Sequence, residues 1–481
     1  MMAQHIPAQP LLVVLGSTGT GKSALAVELA KRFRGEIINS DAMQLYNGLP
    51  ILTNKVTLEE QKGIPHHLLG HISLQNPPWN VTEYKREATE VIAEIRARGN
   101  IPIVVGGTQY YIDPLLFPDV ILDEVQQTTD SSEIFTILQQ PTEVLLEELR
   151  KYDPIMAERW HPNDRRRITR SLEIYLHTGK PASQIYAEQE ARKAAAPASK
   201  KSDAITMPWE KLLFWVYSDK EVLCERLDRR VDKMCDEGLL DEVRSLYTFK
   251  QKMNAQGVAL DMTKGIFQSI GYKQFEPYLE AVDAGQDAPE LEKLNLSALE
   301  STKAATRRYA NYQNKWIRLK QIRRLRDQGV AAVQSLYVLD STDVSKFEDN
   351  VVEPAADLTA KFLSGQERPA AVDVSDLARQ VLDSALEPPP QAIHVKRTCE
   401  ICQTVLVTEE AWQRHVKSSG HRKVMKRKQR RALVLVDKTS SAKGELKEGD
   451  DGSDTPDSSR SRASTPDLGC VFSSDEPKEI N

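Results

Sequence analysis

An α/β fold is predicted: a parallel sheet core with helices on both faces, interrupted by an inserted helical domain and followed by a small Cys/His module. Three observations predict it. Short apolar runs alternate with helical patterns, as in parallel strands joined by crossover helices. The stretch GSTGTGKS, Gly16 to Ser23, lies between an apolar run and a helical one and fits the phosphate-loop (P-loop) template at every fixed position. Near the C-terminus, Cys399-x2-Cys402-x12-His415-x5-His421 has the spacing of a C2H2-type zinc finger.

The elements follow in order. LLVVL (11–15), EIIN (36–39), IPIVV (101–105) and LLFWVY (212–217) read as strands, and SLYVLD (335–340) as a last one. Leu25, Leu29 and Phe33 share one helix face; Tyr84, Ala88, Val91, Ile92 and Ile95 share another. Residues 11–119 form the first part of the core. The gap before the fourth strand is too long for one crossover. It holds PTEVLLEELRKYDPIMAERW and DRRRITRSLEIYLHTG, both helical by spacing, so 120–205 reads as the inserted domain, ending in the flexible ARKAAAPASKKSD. Residues 206–345 complete the core and include a long basic helical run, 294–325. SALEPPPQAIHVKR marks a linker, 365–396. The finger with its basic extension spans 397–431, and the Ser/Asp/Lys-rich stretch 438–481 reads as disordered. No internal repeat is visible.

Bulk properties exclude some classes. A chain of 481 residues with net charge −5 is not a basic nucleic-acid binder as a whole, so such binding must come from local patches. No apolar run approaches the ~18 residues of a membrane span. MMAQHIPAQP lacks Lys, Arg and an apolar core, unlike a secretory or mitochondrial leader. Five cysteines do not make a disulfide framework in a chain of this length; Cys224 and Cys235 read as buried thiols, and a reducing compartment fits.

The loop chemistry is specific. Glycines let successive backbone N–H groups face a phosphate chain, and the following helix aims its positive end there. Lys22 adds a charge, and the Ser23 hydroxyl can ligate Mg²⁺. Kinases and NTPases of this class carry an Asp at the end of a later strand. Here IPIVV ends in GGTQYY, with no acid. Asp41 instead ends the second strand, beside the loop, as a base, a metal partner or a helix N-cap. In EVLCERLDRRVDKM, Arg226 and Arg230 lie four apart on one face, which by itself reads as a solvated helix surface. The residues leave open whether the phosphate is donated, hydrolysed or a leaving group.

Seven stretches in register carry a resemblance over about 11–320. GSTGTGKS, SDAMQLYNGLPILTNK, PHHLLG, VGGTQYYIDPLLF, DRRRITRSLEIYLHTGK, GIFQSIGYKQF and TRRYANYQNKW resemble the tRNA dimethylallyltransferases (tRNA isopentenyltransferases), and the finger resembles the extra module of their eukaryotic members. The resemblance implies that Gly16, Ser17, Thr18, Gly19, Thr20, Gly21, Lys22 and Ser23 hold the diphosphate of dimethylallyl diphosphate, with Mg²⁺ at Ser23. The diphosphate leaves, and the prenyl carbon goes to N6 of the adenosine 3′-adjacent to the tRNA anticodon. Asp41 is implied as general base, with Thr18, Lys22 and Arg226 also catalytic. The implied tRNA contacts are Asp41, Ala42, Met43, Gln44 and Thr108; Arg166, Arg167, Ile168, Thr169 and Arg170; and Gln268, Ser269, Ile270, Gly271, Tyr272 and Lys273. On the residues themselves, Arg165 joins the neighbouring arginines as a candidate for phosphate or base contact. Asn311 and Tyr312 depart from the family's basic pair. The resemblance implies a monomer; the reducing compartment reads as the cytoplasm, with the nucleus and, through an upstream start, the mitochondrion as further locations.

Two thiolates on a turn and two imidazoles on a helix can close a tetrahedral Zn²⁺ site, with Val405 and Trp412 as its minimal core. The long gap between histidines resembles fingers that bind structured RNA. RKVMKRKQRR (422–431) reads as phosphate contact, nuclear import signal or both. Two other classes compete: a P-loop kinase, and a non-enzymatic zinc-finger RNA binder. The choice between ATP and dimethylallyl diphosphate separates them.

Overall fold

The computed structural model describes residues 6–117, 136–195, 209–258, 260–386 and 394–428. Its larger compact unit comprises, among these, 6–117, 209–258 and 260–386. In chain order this unit contains β1 (Pro10–Gly16), α1 (Lys22–Phe33), β2 (Gly35–Asn39), β3 (His66–His67), α2 (Val81–Ala97), β4 (Ile101–Val105) and α3 (Gln109–Leu116). The described strands form one parallel sheet, ordered β3-β2-β4-β1, continued by β5 (Glu210–Tyr217) and β6 (Leu336–Asp340). Leu11 to Gly16 are all buried, as a central strand covered on both faces must be. The chain leaves β1 on one side and returns on the other at β5. The carboxyl ends of β1, β4 and β5 therefore flank a crevice, where ligands bind in open α/β sheets.

Strand β3 was not foreseen in the sequence, because two residues show no periodicity. Side-chain chemistry holds it instead. The nearly buried Glu36 carboxylate of β2 accepts from Arg98 Nε (3.0 Å) and Nη2 (2.8 Å) and from Asn100 Nδ2 (2.7 Å), and lies 2.6 Å from His67 Nε2 on β3. Helix α2 starts at an Asn80–Glu83 capping box.

After β5 come α8 (Lys220–Asp236), α9 (Leu239–Ala255), α10 (Tyr272–Asp283) and α11 (Ala288–Trp316). A π-turn over Ile317–Gln321 follows. It absorbs an extra residue, so Trp316 and Gln321, five apart, reach one acceptor. That acceptor is the fully buried Asp113 of α3, bonded by Trp316 Nε1 (2.9 Å), Gln321 Nε2 (2.7 Å) and Arg324. Beyond β6, α12 (Glu353–Ser364) and α13 (Asp376–Leu386) continue the unit. This corrects the expected linker 365–396 and core end at 345. Ala378, Val381 and Leu382 of α13 are buried, and the helix packs on β6. The prolines that suggested a linker lie just past this helix; residues 387–393, and the tail expected at 438–481, are outside the described residues.

The second unit comprises, among the described residues, 136–195 and 394–428. It holds α4 (Thr142–Tyr152), α5 (Pro154–Arg159), α6 (Arg165–Thr178) and α7 (Ala182–Ala195). The buried Asp153 ties two helix starts together, accepting from Met156 N (3.1 Å) and Ser183 N (2.8 Å). The same unit contains the finger: antiparallel β7 (His394–Thr398) and β8 (Val405–Thr408), then α14 (Glu409–Val416). Asn163 N donates to His161 Nδ1 (3.1 Å), so Nε2 carries the proton and donates to Val405 O of the finger (3.1 Å). Lys396 pairs with Glu158 at 3.4 Å. Among the described residues no helix is long and apolar enough to cross a membrane.

One prediction follows from the Glu36 cluster. Hydrogen bonds from Arg98, then Asn100 and His67, hold this carboxyl down to about 2. A depressed folded pKa stabilises above the unfolded value and is lost as pH falls through the folded one. Glu36→Gln should therefore cost about 2 kcal/mol at pH 7 and flatten the loss of stability between pH 5 and 3. Urea midpoints across that range measure it; a mutant as acid-labile as the parent would refute it.

Candidate active site

The phosphate loop is shaped by glycines at two close approaches. A Cβ on Gly16 (φ 146°) would lie 2.5 Å from Val216 O, and one on Gly21 (φ 89°) 2.6 Å from the Phe347 ring. Helix α1 starts at Gly21 with no side-chain cap, so its first N–H groups remain available to an anion. Thr20 Oγ1 (2.9 Å) and Lys22 Nζ (2.6 Å) both donate to Ser17 O. The Ser17 hydroxyl is buried without a partner, a donor that a phosphate oxygen would satisfy. Burial pulls the Lys22 ammonium down to about 8, against the opposing pull of Asp41. Ser23 is half-buried in the first turn of α1, and its hydroxyl is the hard oxygen donor that Mg²⁺ takes.

Asp41 stands just past β2. Its N–H donates to Asn39 Oδ1 (3.1 Å), and Asn39 Nδ2 fixes Leu68 O (2.9 Å). Asp41 Oδ1 accepts from Met43 N (3.0 Å), so the carboxylate caps a turn, not the helix that one sequence reading allowed. Burial raises its pKa, opposed by the Met43 bond and by Lys22 and Arg230. Thr108 Oγ1 accepts from Ala42 N (3.0 Å), and Gln44 Nε2 donates to Asn54 O (2.9 Å). Lys55, which sequence reasoning left out of the site, is pulled down to about 8 by burial, opposed by Glu242 and Asp41. Its only sequence signal was membership of the SDAMQLYNGLPILTNK stretch.

The α8 arginines do not form a solvated face. Arg226 donates to Gly19 O (3.1 Å), Ser341 O (3.0 Å) and Thr342 O (3.0 Å), bracing the loop against the segment after β6. Arg230 Nη1 donates to Thr18 Oγ1 (3.0 Å). Burial pulls Arg230 down to about 10 against Asp41. The structure thus assembles Thr18, Lys22, Asp41, Thr108 and Arg230 at one crevice, with Arg226 behind the loop.

The two segments expected to contact tRNA divide by burial. On α6, Arg166 and Arg170 are exposed. Arg167 lies 5.0 Å over the Trp160 ring and 3.5 Å from Asp164. Ile168 is fully buried, the Thr169 hydroxyl is buried too, and Arg165 bonds Leu138 O (2.8 Å). In the other unit, Gln268 and Lys273 are half-buried and bond each other, and Ile270 is half-buried. Ser269, Gly271 and Tyr272 are buried, with the Tyr272 hydroxyl bonded to Glu276 (2.9 Å). The side chains of Ile168, Ser269 and Tyr272 thus face the cores and Gly271 is buried backbone, because these stretches alternate support and surface positions. Asn311 is exposed, whereas Tyr312 meets the Trp316 ring edge-on at 5.8 Å.

In the finger, one ligand atom from each of Cys399, Cys402, His415 and His421 lies within 4.8 Å of the others. His421 Nδ1 is 3.6 Å from Cys399 Sγ, 3.5 Å from Cys402 Sγ and 3.1 Å from His415 Nε2. A tetrahedral Zn²⁺ at ordinary bond lengths requires S···N of about 3.6 Å and N···N of about 3.3 Å. The set fits. Val405 and Trp412, expected as its core, are only half-buried. With so little apolar burial, a metal is the natural source of its stability.

Comparisons with known proteins agree with this geometry. A family model described as IPP transferase matches residues 44–320. The tRNA dimethylallyltransferase of Schizosaccharomyces pombe is 38% identical over 442 residues, covering 88% of this chain and 96% of its own. That of Homo sapiens is 34% identical, covering 88% and 87%. A solved structure of a eukaryotic dimethylallyltransferase acting on tRNA matches with TM-score 0.70 and 32% identity, over 90% of this chain and 100% of that one. With a phosphate loop facing an aspartate across the crevice and a family match over more than half of its length, the chain belongs to the IPP transferase family.

Proposed function

We propose that the protein transfers the dimethylallyl group of dimethylallyl diphosphate to N6 of the adenosine 3′-adjacent to the tRNA anticodon and releases diphosphate. One observation carries this reading: the Asp41 carboxylate shares the crevice with Lys22 and Arg230 at the phosphate loop. The strand end where a phosphoryl-transfer enzyme of this class keeps its Mg²⁺-holding Asp is occupied by Gly106, Gly107 and Thr108. The names of the relatives, and the solved structure of an enzyme acting on tRNA, support the same assignment.

An exocyclic amine is a weak nucleophile, because its lone pair is delocalised into the ring. It needs a base on one side and a held leaving group on the other. Asp41 orients N6 and accepts its proton; its raised pKa makes it the stronger base. As the N–C bond forms, the C–O bond to diphosphate breaks and its electron pair leaves with oxygen. The loop N–H groups, Lys22, Thr18 and Arg230 take up that charge, while Arg226 keeps the loop in place through Gly19. Mg²⁺, when bound, would be held by Ser23 and supply further charge neutralisation. The adenine must leave its stack to reach Asp41, with Gln44 and Thr108 beside it. Arg166 and Arg170 on α6 and the basic finger contact the tRNA backbone; Cys399, Cys402, His415 and His421 would hold a Zn²⁺ that stabilises the finger.

Purified protein with hypomodified tRNA and each phosphate donor, read by nucleoside mass spectrometry, tests the reading. Phosphate transfer from ATP without prenylation would overturn it. Asp41→Ala should lose at least ~100-fold in single-turnover rate, the size of a general-base contribution. The parent rate should rise with pH through the raised Asp41 pKa, since only the carboxylate accepts the proton; a mutant near the parent rate would sink the base assignment. Lys22→Ala should weaken dimethylallyl diphosphate binding, and ATP should compete poorly at equal concentration in a filter-binding titration. Cys402→Ser should raise the KM for tRNA and shrink its salt dependence while the saturated single-turnover rate holds. Collapse of that rate in the folded variant would place the finger in the chemistry.

A further inference from the structure

We propose that Gln313 is a positioning residue that sets the spacing between the phosphate loop and Asp41. The inference rests on the prenyl-transfer reading of the site and adds a residue to it.

The two halves of the reaction hang from strands that do not touch. The phosphate loop follows β1 and Asp41 follows β2, and β4 lies between them. On one side, backbone bonds join the β4 loop to the Asp41 segment. Ser40 N donates to Val105 O (2.8 Å) and Thr108 N to Ser40 O (3.2 Å). A Cβ on Gly106 would lie 2.3 Å from Ser40 C, so these segments are in close contact. On the other side, Gln313 of α11 makes the link to the phosphate loop. Its Oε1 accepts from Thr18 N (2.8 Å) and its Nε2 donates to Gly107 O (2.9 Å).

Three features make this bridge specific. The side chain is 1% exposed, so both bonds form away from water and neither group has a solvent alternative. Its two ends meet a backbone donor and a backbone acceptor, so only one orientation of the amide satisfies both. The β4 loop also makes room for it, since a Cβ on Gly107 would lie 2.2 Å from Gln313 Nε2. One turn earlier on α11, Tyr309 bonds both the Gln313 and the Thr108 side chains, which joins the bridge to the Asp41 side. Thr18 is thereby gripped twice, through its N–H by Gln313 and through its hydroxyl by Arg230.

The consequence is kinetic. Nucleophile and carbon must meet at about 3–3.5 Å, and a misplacement of about 1 Å costs roughly 100-fold. A bridge that fixes loop to loop acts on the chemical step and leaves tRNA affinity alone.

The experiment compares Gln313→Leu, Gln313→Glu, Gly107→Ala and the Gly107→Ala/Gln313→Leu double variant with the parent. Saturated single-turnover prenyl transfer to hypomodified tRNA, KM for tRNA and thermal unfolding are measured. Gln313→Leu and Gly107→Ala should each lower the saturated rate about 10- to 100-fold, with KM for tRNA within about threefold. The double variant should be no worse than the poorer single one, since both break one bridge. Gln313→Glu keeps the acceptor for Thr18 N but sets a carboxylate against Gly107 O. Its rate relative to the parent at the same pH should rise as pH falls and the side chain regains a proton to donate. A folded Gln313→Leu protein within twofold of the parent, or a loss confined to KM, overturns the assignment. If Gln313→Leu does not fold, a pH-independent ratio for Gln313→Glu overturns it. Failure of the parent to prenylate tRNA would instead sink the reading of the site, and this assignment with it.

Discussion

Two cations and one carboxylate share the crevice at the carboxyl end of the sheet, and much of the larger unit holds them there. Lys22 and Arg230 are both pulled toward neutrality by burial and sustained by Asp41. Asp41 is pushed the other way by the same burial and restrained by the same cations. The balance leaves excess positive charge at the end of a helix whose first N–H groups lack a cap. An arriving diphosphate supplies the missing negative charge, and its departure restores the starting condition. Binding and release of the leaving group thus draw on one electrostatic deficit.

Much of this was legible in the sequence, for definite reasons. Strands β1, β4 and β5 are covered on both faces, so they appear as unbroken apolar runs. The phosphate loop needs glycines at fixed places and so has a spelling. Strand β3 has two residues and survives through Glu36, a long-range cluster that no local pattern records. Helix α13 was hidden because the prolines that follow it dominate the composition of that stretch. Arg226 and Arg230 resemble a surface pair until the loop is packed against them. Gln313 is a polar residue in a charged helical run, the least informative setting for a buried bridge. A motif marks a stretch, but not which of its members face the core, as Ile168 and Tyr272 do.

The part of the chain beyond the family match also serves the crevice. The segment after β6 offers Ser341 O and Thr342 O to Arg226 and lays Phe347 against Gly21. Arg32 of α1 pairs with Glu348 (2.8 Å) and Glu353 (2.9 Å) in the same region. The loop is therefore clasped from behind by residues that carry no recognisable motif. Their requirement is a backbone carbonyl in the right place, which many sequences can meet.

The clustering of the finger with the inserted helices has a consequence for biogenesis. The bond from His161 to Val405 closes over 244 residues. At about 5–20 residues per second, a ribosome needs roughly 12–50 s to make that interval. The inserted helices thus emerge, with their arginines and Trp160, long before the finger exists to pack against them. They must stay soluble alone through the synthesis of the second half of the sheet. The short helices of this unit, two of them tied at their starts by Asp153, suit a segment that has to wait for its partner.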